Sequence, residues 1–163
     1  MIQKTLVLIK PDGVERGLTG EIIHRLERKG LKIIALKMVW VDKELALQHY
    51  DEDITRRRGE KVRKQLVDFV TSGPIIAMVL EGVEAIENVR TICGVTEPKA
   101  AQPGTIRGDF SPISFRYADS KEIVVKNTIH ASANEQDAEK EIKLWFTEKE
   151  MHSYENVHEK HVR

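Results

Sequence analysis

In Asn127-Thr128-Ile129-His130-Ala131-Ser132 a lone imidazole follows an apolar step and precedes a helix-forming run through Glu139, Lys140, Ile142, Leu144 and Trp145. An imidazole of ordinary acidity keeps an unprotonated nitrogen near neutral pH and can attack an electrophile without a separate base. Ser132 stands three residues before Glu135 in capping-box spacing, which predicts that the helix starts at Ser132. The free N–H groups of such a start favour an anion, so a phosphoryl group beside His130 is the chemistry this window suggests. Histidines near helix ends are also common structural features, and the window alone does not assign catalysis.

Four further polar positions accompany it. Lys10 closes an apolar run in Ile9-Lys10-Pro11-Asp12-Gly13 and reads either as an exposed turn residue or as a cation for an anionic ligand. Arg90 sits on a helical pattern and Thr96 in an irregular stretch; either suits a solvated surface as well as a site. In Thr105-Ile106-Arg107-Gly108-Asp109, Gly104 and Gly108 flank Arg107, so backbone and guanidinium can approach an anion closely.

These residues must be positioned by a single unit: 163 residues suit one domain, here expected over 1–150 with a tail over 151–163. Lys plus Arg and Asp plus Glu both total 26, so no global positive field gathers nucleic acid or anionic lipid and any anion site is local. Cys93 is the sole cysteine, which excludes an internal disulfide and a CxxC pair and suits a reducing, cytoplasmic setting. The apolar run Thr5–Ile9 is too short for a membrane span.

Apolar patterning predicts strands over 3–9, 31–41 and 75–80, a last strand within 113–130, and helices over 21–29, 42–50, 59–71 and 83–93. The order βαββαβ gives an α+β class: a ferredoxin-like antiparallel sheet with helices on its faces, inserted helices and a C-terminal extension. Residues 111–121 read as a surface excursion. From His152 onward the chain reads as a tail or subunit-contact arm; His158 and His161 lack a convincing third ligand, so no metal site is predicted.

Five blocks, TLVLIKPDGVERG (5–17), SGPIIAMVLEG (72–82), PGTIRGDF (103–110), NTIHAS (127–132) and AEKEIKLWF (138–146), resemble the nucleoside diphosphate kinase family over nearly the whole chain. The resemblance implies transfer of the terminal phosphate of a nucleoside triphosphate to a nucleoside diphosphate, by a ping-pong scheme through a phosphohistidine on His130. It implies Glu141 as the carboxylate orienting that ring and Tyr50 as a neighbour of the phosphates. Arg90, Thr96 and Arg107 become phosphate ligands, and Lys10 and Asn127 contacts to the ribose 3′-hydroxyl and the transferred group. Mg²⁺ is expected to arrive on the nucleotide's own phosphates. Purine and pyrimidine, ribo and deoxyribo nucleotides are expected substrates. A homo-oligomer is expected too, with Pro98 in the loop that supports it, and neither nucleic acid nor membrane as partner.

The chain departs from the family pattern at two places. Between Tyr50 and Ser72 it is longer, and the aromatic residue on which the base stacks is missing, Val62 standing nearest its place. Residues 111 to about 121 are a second excess; past them Val124 would close the other side of the base pocket, with Leu66 beneath. These departures motivate an alternative, a non-catalytic nucleotide-binding or regulatory relative.

Overall fold

A computed structural model describes residues 1–157 and 159–162; His158 lies outside the described residues. Four strands, β1 (Ile2–Ile9), β2 (Lys32–Trp40), β3 (Pro74–Val83) and β4 (Ile129–Ala131), form one sheet in the order β2-β3-β1-β4. Every neighbouring pair is antiparallel, with β1 aligned on β3 from Ile2↔Val83 to Ile9↔Ile76 and on β4 at Leu8↔His130. This is the expected ferredoxin-like sheet.

The central strands read as unbroken apolar runs because both of their faces are covered. Leu6, Leu8, Ala77 and Val79 point to one layer, shared with Val67 and Val70 of α5 (Glu60–Val70) and with Ile142 and Trp145 of α9 (Glu135–Trp145). Val7, Ile9, Met78 and Leu80 point to the other, against Ile22 and Leu26 of α2 (Thr19–Arg28) and Val89 of α6 (Ala85–Cys93). Each fully buried Leu or Ile contributes about 1.5–3 kcal/mol, so β1 is anchored on both faces at the point where it meets β4.

Shorter helices join these layers: α1 (Pro11–Glu15), α3 (Lys43–His49), α4 (Glu52–Arg58), α7 (Ile106–Phe110), α8 (Phe115–Ser120) and α10 (Glu159–Val162). Differences from the sequence expectation bear on the site at three places. Helix α4 is additional: the Asp51 side chain accepts from Asp53 N–H, Arg56 to Arg58 occupy the last turn where cations suit the helix dipole, and Gly59 at φ 89° breaks the chain before α5. The last strand is only three residues long, and much of the stretch before it is α8, so the surface excursion over 111–121 is largely helical. Finally, α9 begins at Glu135 with Asn134 as its cap, accepting from Asp137 N–H at 2.8 Å, not at Ser132. Ser132 is drawn away because its hydroxyl accepts from Leu6 N–H at 3.2 Å and donates to Glu141 at 2.6 Å.

Among the described residues no helix is long and apolar enough to cross a membrane. The chain beyond α9 folds back on β2: His152 N–H donates to the carbonyl of Ile34, the residue left out of the β2–β3 register, and Lys32 pairs with Glu159 at 2.8 Å.

Candidate active site

His130 is held by a strained piece of backbone. Thr128 has φ 70°, a left-handed value that is costly for a β-branched residue, and Ile129 N–H closes back onto the Asn127 carbonyl at 2.7 Å. The buried Asp12 carboxylate stabilises this turn by accepting from Thr128 N–H at 3.0 Å, and Lys10 N–H donates to the Thr128 carbonyl at 2.8 Å. Burial pushes the Asp12 carboxyl above its ordinary pKa, against the opposing pull of Lys10 and the Thr128 N–H. The turn is thereby clamped to the end of β1, and His130 follows it in register opposite Leu8.

The ring is oriented from behind. His130 Nε2 lies 3.0 Å from both carboxylate oxygens of Glu141, itself reached by the Ser132 hydroxyl. Burial pushes the Glu141 carboxyl up, but the hydrogen bond and charge of His130, with His49 and Ser132, outweigh it and leave the pKa below the usual value. An ionised carboxylate cannot donate, so Nε2 carries the hydrogen and Nδ1 keeps its lone pair. His49 packs edge-on against His130 at 4.6 Å between centroids, and its Nδ1 accepts from Trp145 Nε1–H at 3.2 Å. Burial, aided by the charge of His130, lowers the His49 pKa to about 3, so this neighbour stays neutral.

In front of His130 opens a cavity of about 280 Å³. Its polar wall brings together Lys10, Arg90, Thr96, Arg107, Asn127 and His130, six positions singled out in the sequence. They are mutually braced: Lys10 Nζ donates to Asn127 Oδ1 at 2.8 Å, Asn127 Nδ2 to the Thr96 carbonyl at 3.0 Å, and Arg107 to the carbonyls of Gly94 and Ile129. Arg90 and Thr96 are exposed at the rim, whereas Lys10 is buried and is no turn residue at the surface. Burial, then the charge of Arg107, lowers the Lys10 pKa to about 8. Arg107 is lowered in turn by burial, and its Nε is buried without a hydrogen-bond partner.

The remaining predicted residues line the same space. Tyr50 is buried at its edge with its phenol held well above the ordinary pKa by burial, and Val62, Leu66 and Val124 form an apolar wall. Gly108 serves a purpose other than the one expected: a side chain there would collide with the Gln102 carbonyl, so it closes the loop that carries Arg107. Cys93 is buried, and burial raises its thiol pKa to about 11, as befits an inert core residue.

Sequence reading missed Asp12, Ser132 and His49, whose partners lie far away along the chain. Only Asp12, two residues past Lys10, carried a local hint. His49, His130 and Glu141 offer atoms within 4.8 Å of one another, close enough to share an ion. Glu141 is already engaged by His130 and Ser132, however, and His49 Nδ1 by Trp145, so this donor set serves to orient the ring.

A split βαβ sheet that presents a carboxylate-backed imidazole to a pocket of cationic donors defines a phosphoryl-transfer protein. The comparisons agree. The nucleoside diphosphate kinase profile matches residues 3–151. A nucleoside diphosphate kinase of Borreliella burgdorferi is 52% identical over 94% of this chain and 93% of its own, and one of Archaeoglobus fulgidus is 49% identical over 97% and 95%. The solved Borrelia burgdorferi enzyme, a transition-state mimic with bound vanadate and ADP, superposes with a TM-score of 0.95 at 52% identity, covering 97% of this chain and 95% of that one. A halophilic Halobacterium salinarum enzyme in complex with CDP gives 0.83 at 39% identity, covering 97% and 96%. The chain belongs to the nucleoside diphosphate kinase family.

Proposed function

We propose that His130 is the nucleophile of a ping-pong transfer from nucleoside triphosphates to nucleoside diphosphates. The Nδ1 lone pair attacks the terminal phosphorus, an N–P bond forms, the bond to the bridging oxygen breaks, and the first nucleoside diphosphate leaves with that electron pair. The terminal oxygen of a second diphosphate then attacks the phosphohistidine, the N–P bond breaks and the ring returns to its starting form. Positive charge on the ring between the two steps is balanced by Glu141. The observation that carries this reading is His130 Nε2 within 3.0 Å of both Glu141 oxygens while the ring borders the cationic pocket.

Arg90, Thr96 and Arg107 are assigned to the phosphates, Lys10 and Asn127 to the ribose 3′-hydroxyl and the group in flight, and Tyr50 to the edge nearest His130. These contacts read phosphate and sugar, which supports breadth across purine and pyrimidine, ribo and deoxyribo substrates. A wall of Lys10, Arg90 and Arg107 suits a cation that arrives already chelated, so Mg²⁺ would be held by the nucleotide's own phosphates and would supply charge neutralisation there. We further assign residues 1–150 as the kinase domain and 151–163 as its tail, in a homo-oligomer working in the cytoplasm.

Brief mixing with γ-labelled ATP tests the reading: an acid-labile, base-stable phosphoprotein forms and discharges onto added diphosphate. Normal labelling and transfer by His130→Ala would refute it.

A further inference from the structure

The two segments that lengthen this chain meet over the apolar part of the nucleotide cavity. Helix α4 and the start of α5 come from one, α8 from the other. Gln65 Nε2 donates to the Glu122 carbonyl at 2.7 Å, Lys61 Nζ reaches the Glu122 carboxylate at 2.5 Å, and the Arg58 guanidinium lies 5.8 Å from the centroid of the Phe115 ring. Phe115 is the first residue of α8, fixed there by its own N–H donating to Glu97 at 2.8 Å, and its half-buried ring lines the cavity together with Val62, Leu66 and Val124. Among the described residues Phe115 and Tyr50 are the only two of Phe, Tyr and Trp lining this cavity, and Tyr50 belongs to the buried core cluster.

A nucleobase offers two flat π faces and gains most from a flat aromatic partner, whereas Val62 presents only a branched methyl pair. A guanidinium near the ring steadies it, as cation–π pairs do. We propose that Phe115 is the platform on which the nucleobase of the substrate stacks, supplied by the inserted helix α8 in place of an aromatic residue at Val62. This rests on the nucleotide site proposed above. It gives the 111–122 segment a role in binding the base of any nucleotide, without reading which base it is.

Calorimetric titration of the whole protein with ADP and with ribose 5-diphosphate, which keeps sugar and phosphates but has no base, separates the terms. Phe115→Ala and the volume-keeping Phe115→Leu are expected to weaken ADP by about tenfold, within the cost of losing one base–aromatic stack. Ribose 5-diphosphate should bind these variants as it binds the parent, and Phe115→Trp should hold ADP at least as tightly as the parent. Unchanged ADP affinity in both Phe115→Ala and Phe115→Leu, or equal losses for the two ligands, would overturn the proposal. Either result leaves phosphohistidine formation on His130 standing, because that reading is decided separately by the labelling of His130→Ala.

Discussion

At the scale of single residues, the site places opposed demands on its charged groups. Lys10 is buried beside Arg107 and titrates near 8 instead of 10.5. Its folded value lies below its unfolded one, so between about pH 8 and 10.5 the unfolded chain binds more protons and stability rises with pH across that window. Nucleotide binding runs the other way, because the phosphates favour the charged amine. ADP affinity should fall above pH 8, by up to about tenfold per unit, and Lys10→Met should flatten the profile between pH 7 and 9.5 in calorimetric titrations. Glu141 makes the complementary case. Replacing it with Gln keeps a hydrogen-bond acceptor 3.0 Å from Nε2 but removes the charge that balances the phosphorylated ring. Single-turnover labelling from ATP should slow by roughly 10²-fold, the typical loss of one preorganised electrostatic partner.

At the scale of elements, Asn134 takes the capping role that the sequence suggests for Ser132. Asn134→Ala removes the cap of α9 and should cost about 1 kcal/mol in urea unfolding, with transfer unaffected. Ser132→Ala leaves Leu6 N–H without its acceptor and Glu141 without a donor. It should cost about 1–3 kcal/mol and slow labelling as well, a pairing that a mere helix cap would not give. The capping-box spacing at Ser132 is genuine as a local pattern, but a competing tertiary bond to β1 wins, and no neighbouring residue announces it. The same division runs through the fold. Strands β1 to β3 and helices α2 and α6 are legible because their apolar periodicity is local and their burial follows from it. Strand β4 is obscured, since three residues paired to β1 are too few to show alternation. Lys10, Arg107, Asn127 and His130, which line one cavity, stand out in their motif blocks; Arg90 and Thr96 lie outside those blocks, and Asp12, Ser132 and His49 contact partners tens of residues away, which spacing alone does not encode.

At the scale of the whole molecule, β2 stands at the edge of the sheet, and its surface carries Leu36, Met38 and Trp40 at 49%, 61% and 67% exposure, two residues apart and on one face. The C-terminal segment engages β2 at Lys32, Ile33, Ile34 and Lys37, through Glu159, Tyr154, His152 and Glu150, yet leaves Leu36, Met38 and Trp40 exposed. An apolar row on an edge strand invites pairing with another chain, and native proteins otherwise blunt such edges with charge or proline. In the proposed homo-oligomer a second copy of this chain would supply the cover. Light scattering should therefore return a multiple of the 18.6 kDa chain mass. Met38→Glu puts a charge on the row at a position exposed in the single chain, so it should leave that chain folded while shifting the mass toward 18.6 kDa. A parent protein that already scatters as a single chain at micromolar concentration, or a Met38→Glu variant with unaltered mass, would remove β2 from the interface and require another surface to hold the assembly.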